Sequence, residues 1–235
     1  MTLLPPIDAR VRWLAAAAVL AALLLQFVPA IDTGVSRLFY DGRGFPAETD
    51  AAVKLLRRLA QVPGYVLAAA MAASLASRLL RRRWLFGLDR KAIVYLLAVA
   101  LAGPVVLVNG VLKEHWGRAR PYQTVEFGGT RAHTPPFVPT DQCTTNCSFV
   151  SGEVSYGFAF VALGFLLAGR ARRRAFAAAV GFGLVLALIR VSQGGHYLSD
   201  AAFAALFTVT IAWLFHHWLV REDAIGRLLR LGRAT

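Results

Sequence analysis

Six separate apolar runs constrain this chain more than any other feature. A helix needs about 20 mostly apolar residues to cross the hydrocarbon core of a bilayer. Hydrophobic residues make up 57% of the chain and charged residues only 17%, which favours an integral membrane protein over a soluble domain. We predict an all-α bundle of six transmembrane helices in one domain covering residues 1–235. The runs are Val11–Ala30, Gln61–Leu80, Ala92–Leu112, Phe149–Gly169, Ala175–Ile189 and Ala201–Val220.

The first run allows a second interpretation, because a cleaved signal peptide also has basic residues before an apolar stretch. Arg10 and Arg12 supply that charge, and the run approaches Ala30. It is long for the apolar part of a signal peptide, and no clear small-residue cleavage site follows it. We therefore favour a retained helix.

The net charge of +13 is explained by membrane topology. With the N-terminus in the cytoplasm, most of the 26 Lys and Arg residues fall in cytoplasmic segments, as the positive-inside rule requires. The runs Arg81–Arg83 and Arg172–Arg174 are examples. The sequence thus predicts both termini in the cytoplasm of a bacterial inner membrane. It requires neither a nucleic-acid partner nor an obligate protein partner.

Two longer segments are predicted on the periplasmic side, at residues 31–60 and 113–148. The first contains Ala47–Ala60, whose pattern fits an amphipathic helix that lies either on the bilayer or on the protein itself. The second is rich in proline and carries the chain's two cysteines, Cys143 and Cys147. A disulfide is favoured in an oxidising compartment, although free thiols or half of a metal site remain open.

Three polar clusters lie where apolar runs begin or end, and the six-helix topology places all three on the periplasmic side. Ionisable residues at such places suggest a functional site, because burying them is costly. The clusters are Lys113 with Arg120 and Pro121, then Ser151-Gly152-Glu153, and finally Arg190 with His196 and Asp200.

The first two clusters suit a phosphate, although each also has an ordinary structural explanation. On a continuing helix, Lys113 and Arg120 would share a face, and arginine can grip a phosphate with two hydrogen bonds. Ser151 and Gly152 open a helix whose first N–H groups can bind an anion. The alternatives are a pair of interfacial cations and a simple helix cap.

The third cluster suits nucleophilic chemistry. On a helix, His196 and Asp200 would stack four residues apart, so the carboxylate could fix the imidazole tautomer and leave one nitrogen free to attack. A purely structural His–Asp pair is the alternative.

The order of the clusters, K-x6-RP, then SG plus one polar residue, then R-x5-H-x3-D, resembles the type-2 phosphatidic acid phosphatase (PAP2) superfamily. The resemblance implies that His196 forms a phosphohistidine and that Asp200 orients it. It implies that Lys113, Arg120, Arg190, Ser151 and the Gly152 amide bind the phosphate, without a metal or another cofactor.

One residue departs from the family's second motif, which usually reads P-S-G-H. Here Val150 replaces the proline and Glu153 replaces the histidine that acts as general acid. We hypothesise that a protonated Glu153 is the general acid. Alternatively, Glu153 recognises a substrate hydroxyl or amine, and His115 or His133 supplies the proton.

The predicted substrate is a membrane lipid phosphate at the periplasmic face. The Cys143–Cys147 loop and the adjoining SFVSGE segment look similar to the lipid A phosphatase branch, so lipid A is favoured. Undecaprenyl diphosphate, phosphatidylglycerophosphate and phosphatidic acid remain alternatives, as does phosphoryl transfer to another lipid. A degenerate family member that binds or transports lipid is the non-enzymatic alternative.

Overall fold

The structure, a computed structural model, describes residues 9–222, and it describes side chains from residue 16 onward. These residues form helices and connecting loops. The basic residues predicted to mark a cytoplasmic C-terminus, Arg227, Arg230 and Arg233, lie outside the described residues. The α-helices are α1 (Ala9–Phe27), α2 (Ala30–Arg37), α3 (Pro46–Thr49), α4 (Ala51–Leu59), α5 (Val62–Arg81), α6 (Arg90–Ala100), α7 (Lys113–His115), α8 (Gly152–Ala159), α9 (Val161–Leu166), α10 (Gly169–Ser192) and α11 (Leu198–Phe215).

Two long helices change to the wider π-helical form along their length. The third predicted span continues from α6 into a π-helix at Leu101–Leu112, and α11 continues into one at His216–Arg221. Pro104 lies inside the first of these segments, where it cannot donate a backbone hydrogen bond. One turn later, the Asn109 side-chain amide donates to the Pro104 carbonyl at 2.6 Å.

Four helical stretches are long and apolar enough to cross a membrane: Ala51–Arg81, Arg90–His115, Gly169–Ser192 and Leu198–Arg221. The first predicted span is shorter than expected, because its helix ends at Phe27 and the chain bends by 83° into α2. Counted as one span, this bent pair is a fifth candidate among the described residues. The all-helical membrane fold agrees with the sequence at this level.

The fourth predicted span is divided into α8 and α9. Together they cover Gly152–Leu166, which at 1.5 Å per residue is about 22 Å, against about 30 Å for a bilayer core. The fifth predicted span, the shortest of the six apolar runs, lies inside the full-length helix α10. The apolar run begins only at Ala175, because the first residues of this helix, Gly169 to Arg174, are mostly basic. Hydropathy therefore underestimates the length of α10.

The core lies where α8 packs between α10 and α11. A methyl group added at Gly157 would lie 3.0 Å from the Cα of Gly183, so these two glycines allow α8 and α10 to approach closely. On the other side of α8, the hydroxyls of Ser155 and Thr208 are 2.7 Å apart. Near the site, Phe149 lies within a cluster of aromatic rings that includes Phe203. This packing fixes the start of α8, which contributes to the candidate site.

Helix α4 is the amphipathic helix that the sequence predicts between residues 47 and 60. It runs on into α5 as one stretch of 31 residues, roughly 46 Å long and therefore longer than a bilayer core. The side chains of Leu55, Leu56 and Leu59 are about half exposed. The part of the chain that the structure describes therefore leaves these leucines of α4 partly uncovered.

Candidate active site

Lys113 and Arg120, the two cations of the first cluster, meet at Asn146. The Lys113 ammonium donates to Asn146 Oδ1 at 3.1 Å, and Arg120 Nη2 donates to the Asn146 carbonyl at 2.7 Å. They do not share a helix face, because the helix ends at His115 and Gly117 adopts a left-handed φ of +71°. Arg120 then lies in extended backbone. Tertiary contacts, rather than helical spacing, bring the two cations together.

A disulfide closes the short loop that carries Asn146. Cys143 and Cys147 are bonded to each other, and the Cys147 amide donates to the Lys113 carbonyl at 3.0 Å. Asn146 adopts a left-handed backbone conformation with a φ of 50°. The loop thus holds Asn146 against the end of the preceding helix, where both cations reach it.

Arg190 and Ser151 bring unpaired donors to the same region. Arg190 ends α10 with its guanidinium buried, and one of its nitrogens, Nη1, donates to Gln193 at 2.6 Å. Among the described residues, neither Arg190 Nε nor the buried Ser151 hydroxyl has a hydrogen-bond partner. Ser151 precedes α8 without capping it through its side chain. Two unsatisfied buried donors are costly unless a ligand pairs with them, which favours an anion-binding site.

Glycine leaves room for neighbouring side chains at two positions in the wall of this region. A methyl group at Gly152 would lie 2.7 Å from Asn109 Oδ1, and one at Gly195 would meet Arg190 Nη2. The first glycine lets the start of α8 lie close to the third long helix. The second leaves room for the Arg190 guanidinium beneath the turn that leads to His196.

His196 presents a free imidazole nitrogen next to these cations. Its Nδ1 lies 2.7 Å from the Ser148 carbonyl, which can only accept, so Nδ1 carries the proton and Nε2 keeps its lone pair. Burial lowers the pKa of His196 to about 4, Asp200 opposes that shift, and the nearby charge of Arg190 adds to it. The ring is therefore neutral at pH 7, as a nucleophile must be.

Asp200 lies close to His196 but does not accept the hydrogen bond from its Nδ1–H group. Asp200 Oδ2 is 3.7 Å from His196 Nδ1, whereas the same oxygen accepts from the Ser148 hydroxyl and from the Tyr197 amide at 2.9 Å. The two residues are not stacked on a helix, because α11 begins only at Leu198. Asp200 instead caps the start of α11, and it acts on His196 through the Ser148 segment.

Arg118 is a buried residue that sequence reasoning missed. Its side chain is fully buried and donates to Asp200 Oδ1 at 2.6 Å and to Asp32 Oδ2 at 2.8 Å. Asp32 also accepts from the Ser199 amide at 2.8 Å. This Asp32–Arg118–Asp200 network joins α2, the 113–148 segment and α11 beneath the site. The only signal in the sequence is a second arginine two residues before Arg120, and such a residue is ordinarily exposed.

Glu153 is paired with an arginine from α4. Arg57 Nε lies 2.8 and 2.9 Å from the two carboxylate oxygens, and Arg57 Nη2 makes a further short contact with Oε1. The same Oε1 lies 3.7 Å from Arg190 Nε. Glu153 thus connects α4, through Arg57, with Arg190 of the cationic region.

The other predicted proton donors lie apart from Glu153. His115 is exposed, while His133 is half-buried and approaches Arg118 Nη2 at 3.4 Å. Burial lowers the pKa of His133, and the charge of Arg118 acts in the same direction. In the same segment, Phe137 packs against Phe203 with ring centroids 4.5 Å apart. These contacts place His133 over the buried network rather than beside Arg190.

Fold and site together define a helical membrane protein with a cationic region around a buried, neutral imidazole. The PAP2 superfamily matches residues 91–223, which is more than half of the chain. The chain therefore belongs to the PAP2 superfamily. The matched region contains all three polar clusters, and it excludes α4 with Arg57.

Three relatives are each named lipid A 4'-phosphatase. The protein from Francisella tularensis subsp. novicida (strain U112) is 43% identical over 134 residues, which cover 57% of this chain and 60% of that protein. The protein from Rhizobium leguminosarum is 36% identical over 208 residues, which cover 81% of this chain and 88% of that protein. The protein from Rhizobium etli (strain ATCC 51251 / DSM 11541 / JCM 21823 / NBRC 15573 / CFN 42) is 36% identical over 211 residues, covering 82% and 78%. No solved structure matches the chain.

The predicted family and the predicted enzyme class, a PAP2-type phosphatase, are confirmed by these similarities. The apolar helices and the bacterial relatives together also support the coarser prediction of a bacterial membrane protein.

Proposed function

We propose that this chain is a metal-independent phosphatase that removes the 4'-phosphate of lipid A through a phosphohistidine on His196. The names of the three relatives support the choice of substrate. The observation that carries the mechanism is the His196 imidazole, which is neutral and held through Nδ1. It lies within the electrostatic reach of Arg190, whose Nε has no hydrogen-bond partner among the described residues. Within residues 9–222, no group of three His, Cys, Asp or Glu side chains is arranged to hold a metal ion. In the proposed chemistry, the cationic side chains neutralise the charge of the phosphate.

The phosphate would be bound by donors from all three clusters. Lys113, Arg120 and Arg190 are close enough to repel one another electrostatically, and a phosphate dianion would relieve that repulsion. The unpaired Arg190 Nε and Ser151 hydroxyl would complete the cradle, together with the Gly152 amide at the start of α8. Phosphoryl transfer needs positioning and neutralisation of charge, and these groups supply both.

In the first step, the lone pair of His196 Nε2 would attack phosphorus while the bond from phosphorus to the sugar oxygen breaks, and that oxygen would take a proton from solvent. In the second step, water would attack the phosphohistidine and lose a proton to solvent, the P–N bond would break with its electrons returning to Nε2, and inorganic phosphate would leave. The Ser148 carbonyl accepts a hydrogen bond from the Nδ1–H group throughout. It thereby stabilises the positive charge that the ring acquires when Nε2 is phosphorylated.

Asp200 would serve as a positioning residue in this scheme. It fixes Ser148 through the serine hydroxyl, and Ser148 in turn holds the imidazole. Its negative charge at 3.7 Å from Nδ1 also favours the phosphorylated ring. The general-acid role of Glu153 stays a prediction, although its fork with Arg57 favours a carboxylate that has no proton to give.

We also propose six membrane crossings, with the site on the periplasmic face. The end of the third long helix, the end of α10 and the start of α11 all meet at the site, where α8 begins. The α8–α9 segment must therefore lead away from the site and α10 must return to it, so the short α8–α9 pair serves as the fourth crossing. The disulfide at the site favours the oxidising side of the membrane.

The decisive experiment measures phosphate release by purified protein in detergent, with EDTA and without added metal. Lipid A should lose its 4'-phosphate, and His196→Ala should abolish this reaction while the protein remains folded. Undecaprenyl diphosphate, phosphatidylglycerophosphate and phosphatidic acid form the comparison panel. Faster release from one of these lipids would reassign the substrate, and absence of release from all four would refute the enzymatic proposal.

The covalent intermediate requires a separate test. Rapid quenching at high pH after mixing with phosphate-labelled substrate should trap acid-labile, base-stable label on His196. Trapped label on the His196→Ala variant would contradict the phosphohistidine step. The same holds if the wild type releases phosphate but no rapid-quench sample contains trapped label.

A further inference from the structure

The Arg57–Glu153 contact lies outside every role that the proposed mechanism assigns. Arg57 approaches both carboxylate oxygens of Glu153 through Nε, at 2.8 and 2.9 Å, and reaches Oε1 again through Nη2. Such a fork is the strong form of a charge-assisted hydrogen bond. This fork favours the ionised form of the Glu153 carboxyl, because a carboxylate binds the permanently charged guanidinium through both oxygens more strongly than a neutral acid does.

Glu153 also lies next to the cation that would bind phosphate. Its Oε1 is 3.7 Å from Arg190 Nε, which has no hydrogen-bond partner among the described residues. One carboxylate oxygen thus lies between the guanidinium groups of Arg57 and Arg190. An anion at that position between two guanidiniums resembles one oxygen of a bound phosphate in charge and in hydrogen-bonding capacity.

The position of Arg57 on α4 distinguishes it from its neighbours. Arg58 and Lys54 are exposed on the same helix, whereas Arg57 is partly buried against α8. The apolar residues Leu55 and Leu56 of α4 remain half exposed. Helix α4 therefore directs one guanidinium into the site and leaves its other charged side chains in solvent.

We propose that Arg57 is a further phosphate-binding residue and that Glu153 is its ionised counter-ion, which occupies part of the anion site until a phosphate replaces it. This inference rests on the proposed phosphatase function and deepens it. Phosphate and Glu153 compete for Arg57 and Arg190, because two adjacent anions repel each other. Binding of phosphate therefore requires the Glu153 carboxylate to withdraw, which its partly exposed position permits.

Glu153 also affects the balance of charge in the site before phosphate binds. Without Glu153, four cationic side chains would face one another in a partly buried region with no anion between them. The carboxylate offsets part of that repulsion and keeps Arg57 pointing inward. Glu153 thus preorganises the site and, at the same time, weakens its affinity for phosphate.

The test compares binding of inorganic phosphate by calorimetry with the kinetics of phosphate release from lipid A. Glu153→Gln should tighten the Kd for inorganic phosphate by about tenfold, the size expected for one charge-assisted contact. Arg57→Gln should weaken this Kd by a similar factor and raise KM, because it leaves Glu153 unpaired in the site. The double variant should bind more tightly than Arg57→Gln alone. Arg58→Gln, on the exposed face of α4, is the matched control and should change neither quantity.

The outcomes separate this inference from simpler accounts. Tighter binding by Glu153→Gln cannot result from misfolding, so it would support the competition directly. Unchanged phosphate affinity in both Glu153→Gln and Arg57→Gln, with an active wild type, would overturn the inference and leave the phosphatase intact. An inactive wild type would refute the proposed function instead.

The same variants distinguish a counter-ion from a general acid. Loss of a general acid lowers kcat for the sugar leaving group but spares p-nitrophenyl phosphate, whose leaving group needs little protonation. If Glu153→Gln shows that pattern without tighter phosphate binding, the counter-ion role is overturned. If it tightens phosphate binding and changes both substrates in parallel, the general-acid role is excluded.

Discussion

Replacing Arg118 with glutamine is expected to destabilise the fold strongly, because this side chain neutralises two buried carboxylates. Arg118 is fully buried and donates to Asp200 at 2.6 Å and to Asp32 at 2.8 Å. Its guanidinium also stacks on the ring of Tyr197, 4.4 Å from the ring centroid. Glutamine preserves part of the volume but removes the charge and most of the donors.

The size of the effect follows from what remains after the substitution. Asp32 and Asp200 are 0–1% exposed, so removing their shared cation leaves two buried carboxylates without a positive charge beside them. Removal of one partner from a buried ion pair costs about 3–5 kcal/mol. We expect a loss of that size in the free energy of unfolding, because the donors that remain are neutral groups: Ser148 and Tyr197 for Asp200, and Ser199 for Asp32.

Denaturant unfolding in detergent micelles, followed by tryptophan fluorescence, measures this loss. Arg37→Gln is the control, because it removes the same charge from an exposed position on α2. Adding Asp32→Asn to Arg118→Gln should recover part of the stability, since it removes one of the stranded charges. A loss for Arg118→Gln no greater than for Arg37→Gln would refute the reasoning that this network holds the segments together.

Three further predictions concern the site. Burial lowers the pKa of His196 to about 4, so the ring stays neutral above that pH, and protonation of His196 should lower kcat/KM only near pH 4. A fall in kcat/KM near pH 6.5, with an NMR titration that assigns it to His196, would contradict this prediction. Gly152→Ala should lower phosphatase activity at least tenfold, because its added methyl group meets a side chain at 2.7 Å, whereas Gly181→Ala, with open space around it, should leave activity unchanged. Replacing both Cys143 and Cys147 with serine should raise KM more than it lowers kcat, because the disulfide loop holds Asn146, which Lys113 and Arg120 both contact. An unchanged KM would show that the loop keeps its position without the disulfide.

The sequence predicted the residues of the cationic region better than it predicted their backbone. Lys113 and Arg120 were expected on one helical face, yet Gly117 breaks the helix between them and Asn146 joins them instead. His196 and Asp200 were expected to stack on a helix, yet the helix begins after His196. In both pairs, spacing along the chain indicated proximity while the actual contact depends on a distant segment.

Hydropathy located the apolar runs, but it did not show the form that each run takes in the structure. An apolar run shows which residues avoid water, but it does not show where a helix bends or breaks. The 83° bend after Phe27 and the division between α8 and α9 both depend on local backbone geometry and neighbouring helices. The uninterrupted length of α10 was hidden by its basic first turn.

By itself, the sequence determined the membrane-protein class, the family and the residue types available for binding a phosphate, because composition and short motifs are local properties of the chain. Only the tertiary structure decided which charges pair. Arg118 joins Asp32 to Asp200, and Arg57 reaches Glu153 across 96 residues of sequence. Electrostatic energy depends on distance and burial in space rather than on separation along the chain, so no spacing pattern could have revealed these partners.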